Sequence, residues 1–337
     1  MNLSRADLFK IQLLTNYPKP GYEIWFSIVI DPVNQKAFWL RYTTFFPDPS
    51  LNLQPKFVLW GSFFDTKNAS NHTYLAKSFS IDTISMSGDH YQHPSATLSL
   101  DKLTGNIASD KFSLSWQLFY QHQFEAFDYA PNLIKNSFLK YFVKAHSVAC
   151  SPFAKVNGNI TYKNQEYLLN NASAVLTHIW GSERIEQLFW VFAPIFDNDF
   201  EGWGVEIAIV KVKTFLPQIT VVKILHNNNL YYDLSLLSVL SAKVRINYPE
   251  LEIKARCKEF KLMVKARLNT SQITPYIYRN PDGKPFYIEQ SDVSEIFCLI
   301  EKNGKKQELF SKNMAAVEFH GREAWSSRNY LDPYYQK

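Results

Sequence analysis

Thr177-His178-Ile179-Trp180-Gly181, followed by Leu188-Phe189-Trp190-Val191-Phe192, is the stretch on which the reading of this chain turns. A strand over residues 174–180 alternates its side chains between two faces. His178 and Trp180 then share one face, and Thr177 and Ile179 the other. Gly181 and Ser182 end the strand. The next strand carries Trp190 and Phe192 on one side. Two readings stay open. An imidazole and two or three aromatic rings line one cavity wall with a proton to give, or they fill a barrel core.

Outward from this stretch the chain is nearly all strand. Tyr22–Ile30 and Lys36–Thr44 flank a turn at Asp31-Pro32-Val33-Asn34 and read as an antiparallel hairpin. Lys56–Phe64 follows, then short runs at Ser78–Met86, Ala96–Leu100 and Lys111–Tyr120, with Leu103–Ile107 read as a turn. Residues 131–143 read as an irregular or helical crossover, and Ser4–Leu14 as one short helix capped by Ser4. Strand-length runs resume from Lys155 and continue to His320. Repeated short strands separated by turn residues indicate sandwiches or barrels, not βαβ units.

The bulk numbers agree. With 337 residues the chain has length for two domains, and 26 Phe and 19 Tyr favour strands and ligand cavities. A net charge of +5 is too mild to argue for nucleic acid. The basic run Lys254, Arg256, Lys258, Lys261 is spaced as the wet face of a strand. Cys150, Cys257 and Cys298 stand far apart and fit a reducing compartment. No apolar run reaches membrane-spanning length, and the N-terminus lacks the apolar core of a signal peptide. The expectation is a cytoplasmic protein. Peripheral membrane contact stays open, and the pattern is silent on oligomeric state. No cofactor is called for. His90-Tyr91-Gln92-His93 reads as a polar loop and not as a metal site, and no Gly-rich phosphate loop or hydrolase serine motif is present.

Several segments together resemble a known family. Glu23-Ile24-Trp25-Phe26, after Tyr22, is similar to the Glu-Trp-Trp-Tyr signature of AttH-like proteins, which belong with the hydroxyneurosporene synthase (carotenoid 1,2-hydratase) group. Asp31-Pro32 with Ala37-Phe38-Trp39-Leu40-Arg41-Tyr42 resembles that family's next strand. His178-Ile179-Trp180-Gly181 resembles its Asp-His-x-Trp-Gly block, with Thr177 in place of the Asp. Ala315–Arg322 resembles a C-terminal strand. The resemblance spans about residues 20–325. It implies an all-β chain of two lipocalin-like (calycin) antiparallel β-barrels packed side by side. The domains are then 1–184 and 185–337, joined near residues 181–187. It also implies an apolar small-molecule ligand, of isoprenoid or other lipid type. The hydratases' Tyr-x-Asp pair is absent, since the matching region Gly202–Ile207 offers Glu206 alone.

Hydrating or cyclising an alkene needs a proton donor and a wall that tolerates a cation. His178 and Glu23 are the candidate catalytic residues, and Trp180, Trp190, Trp25, Arg41 and Trp39 the candidate ligand contacts. The sequence places His178, Trp180, Trp190, Glu23 and Trp25 around one space. Glu23 paired with Arg41 across the first hairpin is the structural alternative. A non-enzymatic lipid carrier or sensor needs the same cavity without a positioned acid.

Overall fold

The computed structural model describes residues 4–10, 12, 20–87, 90–130, 143–199 and 201–335. The first sheet runs β1 Gly21–Asp31, β2 Lys36–Phe46, β3 Lys56–Asp65, β4 Thr73–Ser80, β5 Ser85–Ser87, β6 His90–His93, β7 Ala96–Leu98, β8 Lys102–Ala108, β9 Ser113–Gln121, β10 Phe127–Asp128, β11 Ala145–Tyr162 and β12 Gln165–Gly181. The second comprises β13 Gln187–Ala193, β14 Gly204–Lys211, β15 Ile219–His226, β16 Asn229–Tyr232, β17 Lys243–Asn247, β18 Glu250–Cys257, β19 Phe260–Arg267, β20 Thr274–Arg279, β21 Pro285–Lys302 and β22 Lys305–Gly321. Every ladder within the two sheets is antiparallel. The strand orders are β4-β3-β2-β1-β12-β11-β9-β8-β7-β6-β5 and β16-β15-β14-β13-β22-β21-β19-β18-β17, with β10 and β20 paired to β11 and β21. In each sheet the first strand pairs with the last one, which curls the meander into a barrel. The chain is all-β, two lipocalin-like barrels side by side.

Two helices are described: α1 Arg5–Phe9, capped by the Ser4 side chain, and α2 Leu236–Ser241. The expected helix thus stops at Phe9, and Ile11, Leu13 and Leu14 lie outside the described residues, as does the crossover at 131–142. No described helix is long and apolar enough to cross a membrane.

Strand β1 is buried along both faces because it separates two cores. Trp25 and Val29 point into the first barrel with Phe38, Leu40 and Tyr42 of β2. Tyr22, Ile24, Ile28 and Ile30 point the other way, into a core shared by the two sheets. Trp39 stacks on Tyr276 across that interface, with ring centroids 4.9 Å apart. Phe26 meets Trp190 edge to face at 6.0 Å. Each such buried side chain contributes roughly 1.5–3 kcal/mol.

Three local expectations are corrected. Leu103–Ile107 is the heart of strand β8 and not a turn. Gly105 is there because a Cβ would meet the Trp116 ring at 2.0 Å, so the glycine marks a close approach. Ser78–Met86 is broken by a 3-10 turn at Ile81–Thr83. His90–His93 is a strand whose second histidine is buried against Phe57 and Phe79. The basic run does lie on the wet face, with Ala255 and Cys257 turned inward between its exposed charges.

Candidate functional site

The residues singled out from sequence fall into two separate groups, and β1 lies between them. The first group is inside the first barrel. Trp25 lies opposite His178 in the β1–β12 ladder, and Glu23 opposite Trp180. His178 is fully buried. Its Nδ1 lies 2.8 Å from the Leu8 carbonyl, which can only accept, so Nδ1 carries a proton. Its Nε2 lies 2.8 Å from Glu23 Oε1. Gln12 N–H donates to the same oxygen at 2.7 Å. The Trp25 indole stacks on the imidazole at 4.3 Å and 6°. Trp180 tilts over it at 4.5 Å, and Phe9 covers the Trp25 and His178 rings. His178, Glu23, Trp25 and Trp180 therefore do converge. They do so in a packed cluster against Phe9 of α1.

The second group lines a cavity of about 170 Å³ between the sheets. Its walls include Trp39 and Arg41 from β2, Thr177 and Ile179 from β12, and Trp190 from β13. Trp190 thus lies on the far side of β1 and β12 from His178. The expectation of one space for all five residues fails because alternation fixes faces only within a strand. It says nothing of how the faces of β12 and β13 relate once they belong to different sheets. The Glu23–Arg41 pair fails for a related reason. Arg41 lies opposite Phe26, on the face turned away from Glu23. Asp31 and Asp65 are strand-end residues. The first holds its turn, and the second pairs with Lys36 at 3.0 Å.

The cavity holds polar groups that the sequence reading did not select. Glu318 of β22 lies directly opposite Trp190 and faces the cavity. Burial raises its carboxyl from 4.5 to about 7, against the pull of Arg41 and Arg184. His320 Nδ1 lies 3.9 Å from Glu318 Oε1. Burial, with Arg184, Arg41 and Arg322 nearby, holds the imidazole well below its usual range, so it is neutral. Both arginines are buried. Their guanidinium carbons lie 3.5 Å (Arg41) and 4.7 Å (Arg184) from the centroid of Tyr278. Arg41 Nε donates to Thr43 Oγ1 at 2.9 Å, and Arg184 Nε to the Arg279 carbonyl at 2.9 Å. Burial lowers Arg41 to about 10, so it is charged at neutral pH. The signal for Glu318 was a lone carboxylate in the apolar run Ala315–Phe319.

A second network backs the same wall. Trp190 Nε1 donates to Glu206 Oε1 at 3.2 Å, and the Tyr129 hydroxyl donates to the same oxygen. Lys223 Nζ lies 2.5 Å from Glu206 Oε2 and donates to Tyr129 Oη at 2.9 Å. Tyr129 reaches the cavity surface. Among the described residues, no three His, Cys, Asp or Glu side chains are placed to hold a metal ion. The three cysteines are buried and unpaired.

No family profile matches the sequence. No curated protein matches it either. Solved structures do match by fold. Kievitone hydratase from Nectria haematococca aligns over 95% of this chain and 96% of its own, at 12% identity and a TM-score of 0.53. A protein assigned as AttH from Nitrosomonas europaea aligns over 89% and 92%, at 10% identity and a TM-score of 0.51. CghA aligns over 90% and 88%, at 10% identity and a TM-score of 0.51. Those identities speak to fold alone: the chain shares the all-β, two-barrel fold of these AttH-like structures, the fold that the resemblance of its short motifs implied.

Proposed function

We propose that this protein converts a small apolar molecule, of isoprenoid or similar lipid type, by proton transfer in the cavity between its barrels. Glu318 is the acid. The observation that supports this reading is a buried carboxyl raised to about 7, facing an aromatic cavity beside Trp190. A carboxylic acid still half-protonated near neutral pH both gives and retakes a proton efficiently. In a hydration or cyclisation, the proton of Glu318 passes to one alkene carbon and the π pair forms the new C–H bond. Water or an internal nucleophile bonds the other carbon, and its proton returns to the carboxylate. The His178–Glu23 pair is then a clamp that fixes the first barrel's core. The kinship of fold with a hydratase is consistent with this chemistry, without naming the substrate.

The test is proton transfer itself. The protein is incubated in D2O with geraniol and geranic acid, and the products are read by mass spectrometry. Wild type should place one carbon-bound deuterium per turnover, and Glu318→Gln should be at least ~100-fold slower. A Glu318→Gln rate equal to wild type would sink the assignment. The second reading is a carrier, favoured by how little of the cavity wall is polar. It predicts a lipid seen by native mass spectrometry after mild extraction, with no turnover in either protein.

A further inference from the structure

Two guanidinium groups share the buried wall of the cavity, and among the described residues no carboxylate oxygen lies within ion-pair distance of either. Arg41 is 2% exposed and Arg184 5%. Nη2 of each makes no well-aligned hydrogen bond among the described residues, and the Tyr334 hydroxyl beside Arg184 is a neutral group that cannot balance its charge. Arg41 is boxed by the faces of Tyr278, Trp60 and Trp39, at 3.5, 5.4 and 5.9 Å. Arg184 lies over Tyr22 at 4.1 Å and over Tyr278 at 4.7 Å. Ring faces soften a buried cation without neutralising it. A buried charge without a counter-ion is costly, and a fold keeps one where something else supplies the partner. Glu318 does not supply it, since near neutral pH its carboxyl is itself only partly ionised. His320 is neutral beside it, with Nε2 also unpartnered.

We infer that the ligand of this cavity is an apolar molecule bearing one carboxylate, and that the carboxylate binds between Arg41 and Arg184. The inference rests on the cavity being the functional site. Guanidinium and carboxylate form charge-assisted hydrogen bonds, two at once where the geometry is planar. The apolar body then lies along Ile24, Phe26, Ile179 and Trp190. Size bounds the body. A cavity of ~150 Å³ holds a molecule such as benzene, so one of about 170 Å³ takes a ring or a short branched chain. Anything longer must displace the walls or project from the opening. A bound carboxylate also removes an obstacle to the proposed chemistry. Two uncompensated guanidinium charges disfavour a cationic transition state nearby. Neutralised, they do not, and the added negative charge keeps Glu318 protonated.

The experiment uses the full chain at pH 6, where the Glu318 carboxyl is mostly protonated, and three probes with one ring: benzoate, benzyl alcohol and benzylammonium. Binding is followed by calorimetry and by the fluorescence of the cavity tryptophans. Benzoate should bind at least tenfold more tightly than benzyl alcohol, and the cation should not bind. Arg41→Gln and Arg184→Gln should each lose tenfold or more for benzoate while benzyl alcohol changes far less. Circular dichroism melts on both variants establish that they are folded. Either folded variant decides the question if the other fails to fold. Equal affinity for benzoate and benzyl alcohol in wild type would overturn the carboxylate assignment and leave the cavity reading standing. Binding of none of the three would overturn both.

Discussion

Two long hairpins, one in each barrel, follow the same plan and present opposite faces. The β11–β12 hairpin turns at Lys163-Asn164, and the β21–β22 hairpin at Asn303-Gly304, with positive φ at all four residues. The outgoing strands β12 and β22 have 17 residues each and end in Gly181 and Gly321. Counted from the turns, His178 and Glu318 stand at the same step. Yet His178 points into its barrel and Glu318 points out of its own, into the shared cavity. The cause is one residue. In β12 the ladder passes from Leu169 opposite Gly158 to Ala172 opposite Val156, so Asn170 and Asn171 face Asn157 alone. Asn171 takes up the extra residue at φ 54°. Leu169 and Ala172 both point inward, and parity reverses. In β22 the irregularity between Ser311 and Ala315 sets three residues against Glu295, which leaves parity unchanged. Leu309, Ala315, Val317 and Phe319 all line the second barrel. A single bulge thus decides whether this step of the hairpin is a core clamp or part of a cavity wall.

Removing the bulge is the most disruptive way to test that account. Deleting Asn171 forces either residues 165–170 or residues 172–181 to turn their apolar side chains outward. The loss should exceed the ~5–15 kcal/mol that stabilises a typical domain, and the first barrel should not fold. A cooperative melt within a few degrees of wild type, measured by circular dichroism, would show that the bulge does not set the faces.

The clamp should weigh more on stability than on chemistry. His178→Ala leaves the Glu23 carboxyl buried without its ring partner, at a cost of about 3–5 kcal/mol. Urea titration should show that loss, and His178→Gln a smaller one. If either variant, still folded, abolished deuterium incorporation while Glu318→Gln did not, the roles of the two hairpins would be reversed.

Glu318 should behave in the opposite sense. Its folded-state value of about 7 exceeds the ordinary 4.5, so between these the folded protein holds a proton that the unfolded chain has lost. Its contribution to stability is full below about pH 4.5 and is lost as pH rises through 7. Arg41, Arg184 and His320 face it across the cavity and are the same in both proteins. Glu318→Gln, which has nothing to ionise, should be more stable than wild type by on the order of 3 kcal/mol at pH 8 and equal to it at pH 4. Matched urea titrations at the two pH values check this. A difference independent of pH would mean that the carboxyl is not shifted.

The sequence made within-strand relations legible and between-strand relations obscure. Alternation put His178 with Trp180 and Glu23 with Trp25, and those pairs do share a face. It also marked the first hairpin, because Asp31-Pro32 and Asn34 signal a turn between two β-rich runs. It could not join Trp190 to Glu318, whose contact is a register fact of β13 and β22. Nor did it show the parity change at Asn170-Asn171, a pair that reads as ordinary strand polarity until its opposing residue is counted. Burial on both faces of β1 and β2 erased the polar alternation that would have separated the barrel interior from the interface. Leu103–Ile107 misled through Gly105, whose place was set by a ring on the next strand.

The smallest difference between the hairpins lies in their turns. Two-residue turns with positive φ at both positions favour Asn-Gly, which β21–β22 has. The first hairpin places Lys163 at φ 49°, where a long side chain is disfavoured by about 1 kcal/mol. Part of that is returned by the ammonium over the Phe112 ring at 4.6 Å and the Tyr162 ring at 5.1 Å, worth ~0.5 kcal/mol at an exposed site. Lys163→Asn should therefore stabilise by only about 0.5 kcal/mol. The Tyr231 and Phe260 rings beside the second turn already carry the Lys302 ammonium, so Asn303→Lys should destabilise by about 1 kcal/mol. If urea titration showed the two changes equal and opposite, the ring contacts of Lys163 would contribute nothing, and backbone conformation alone would set the difference between the turns.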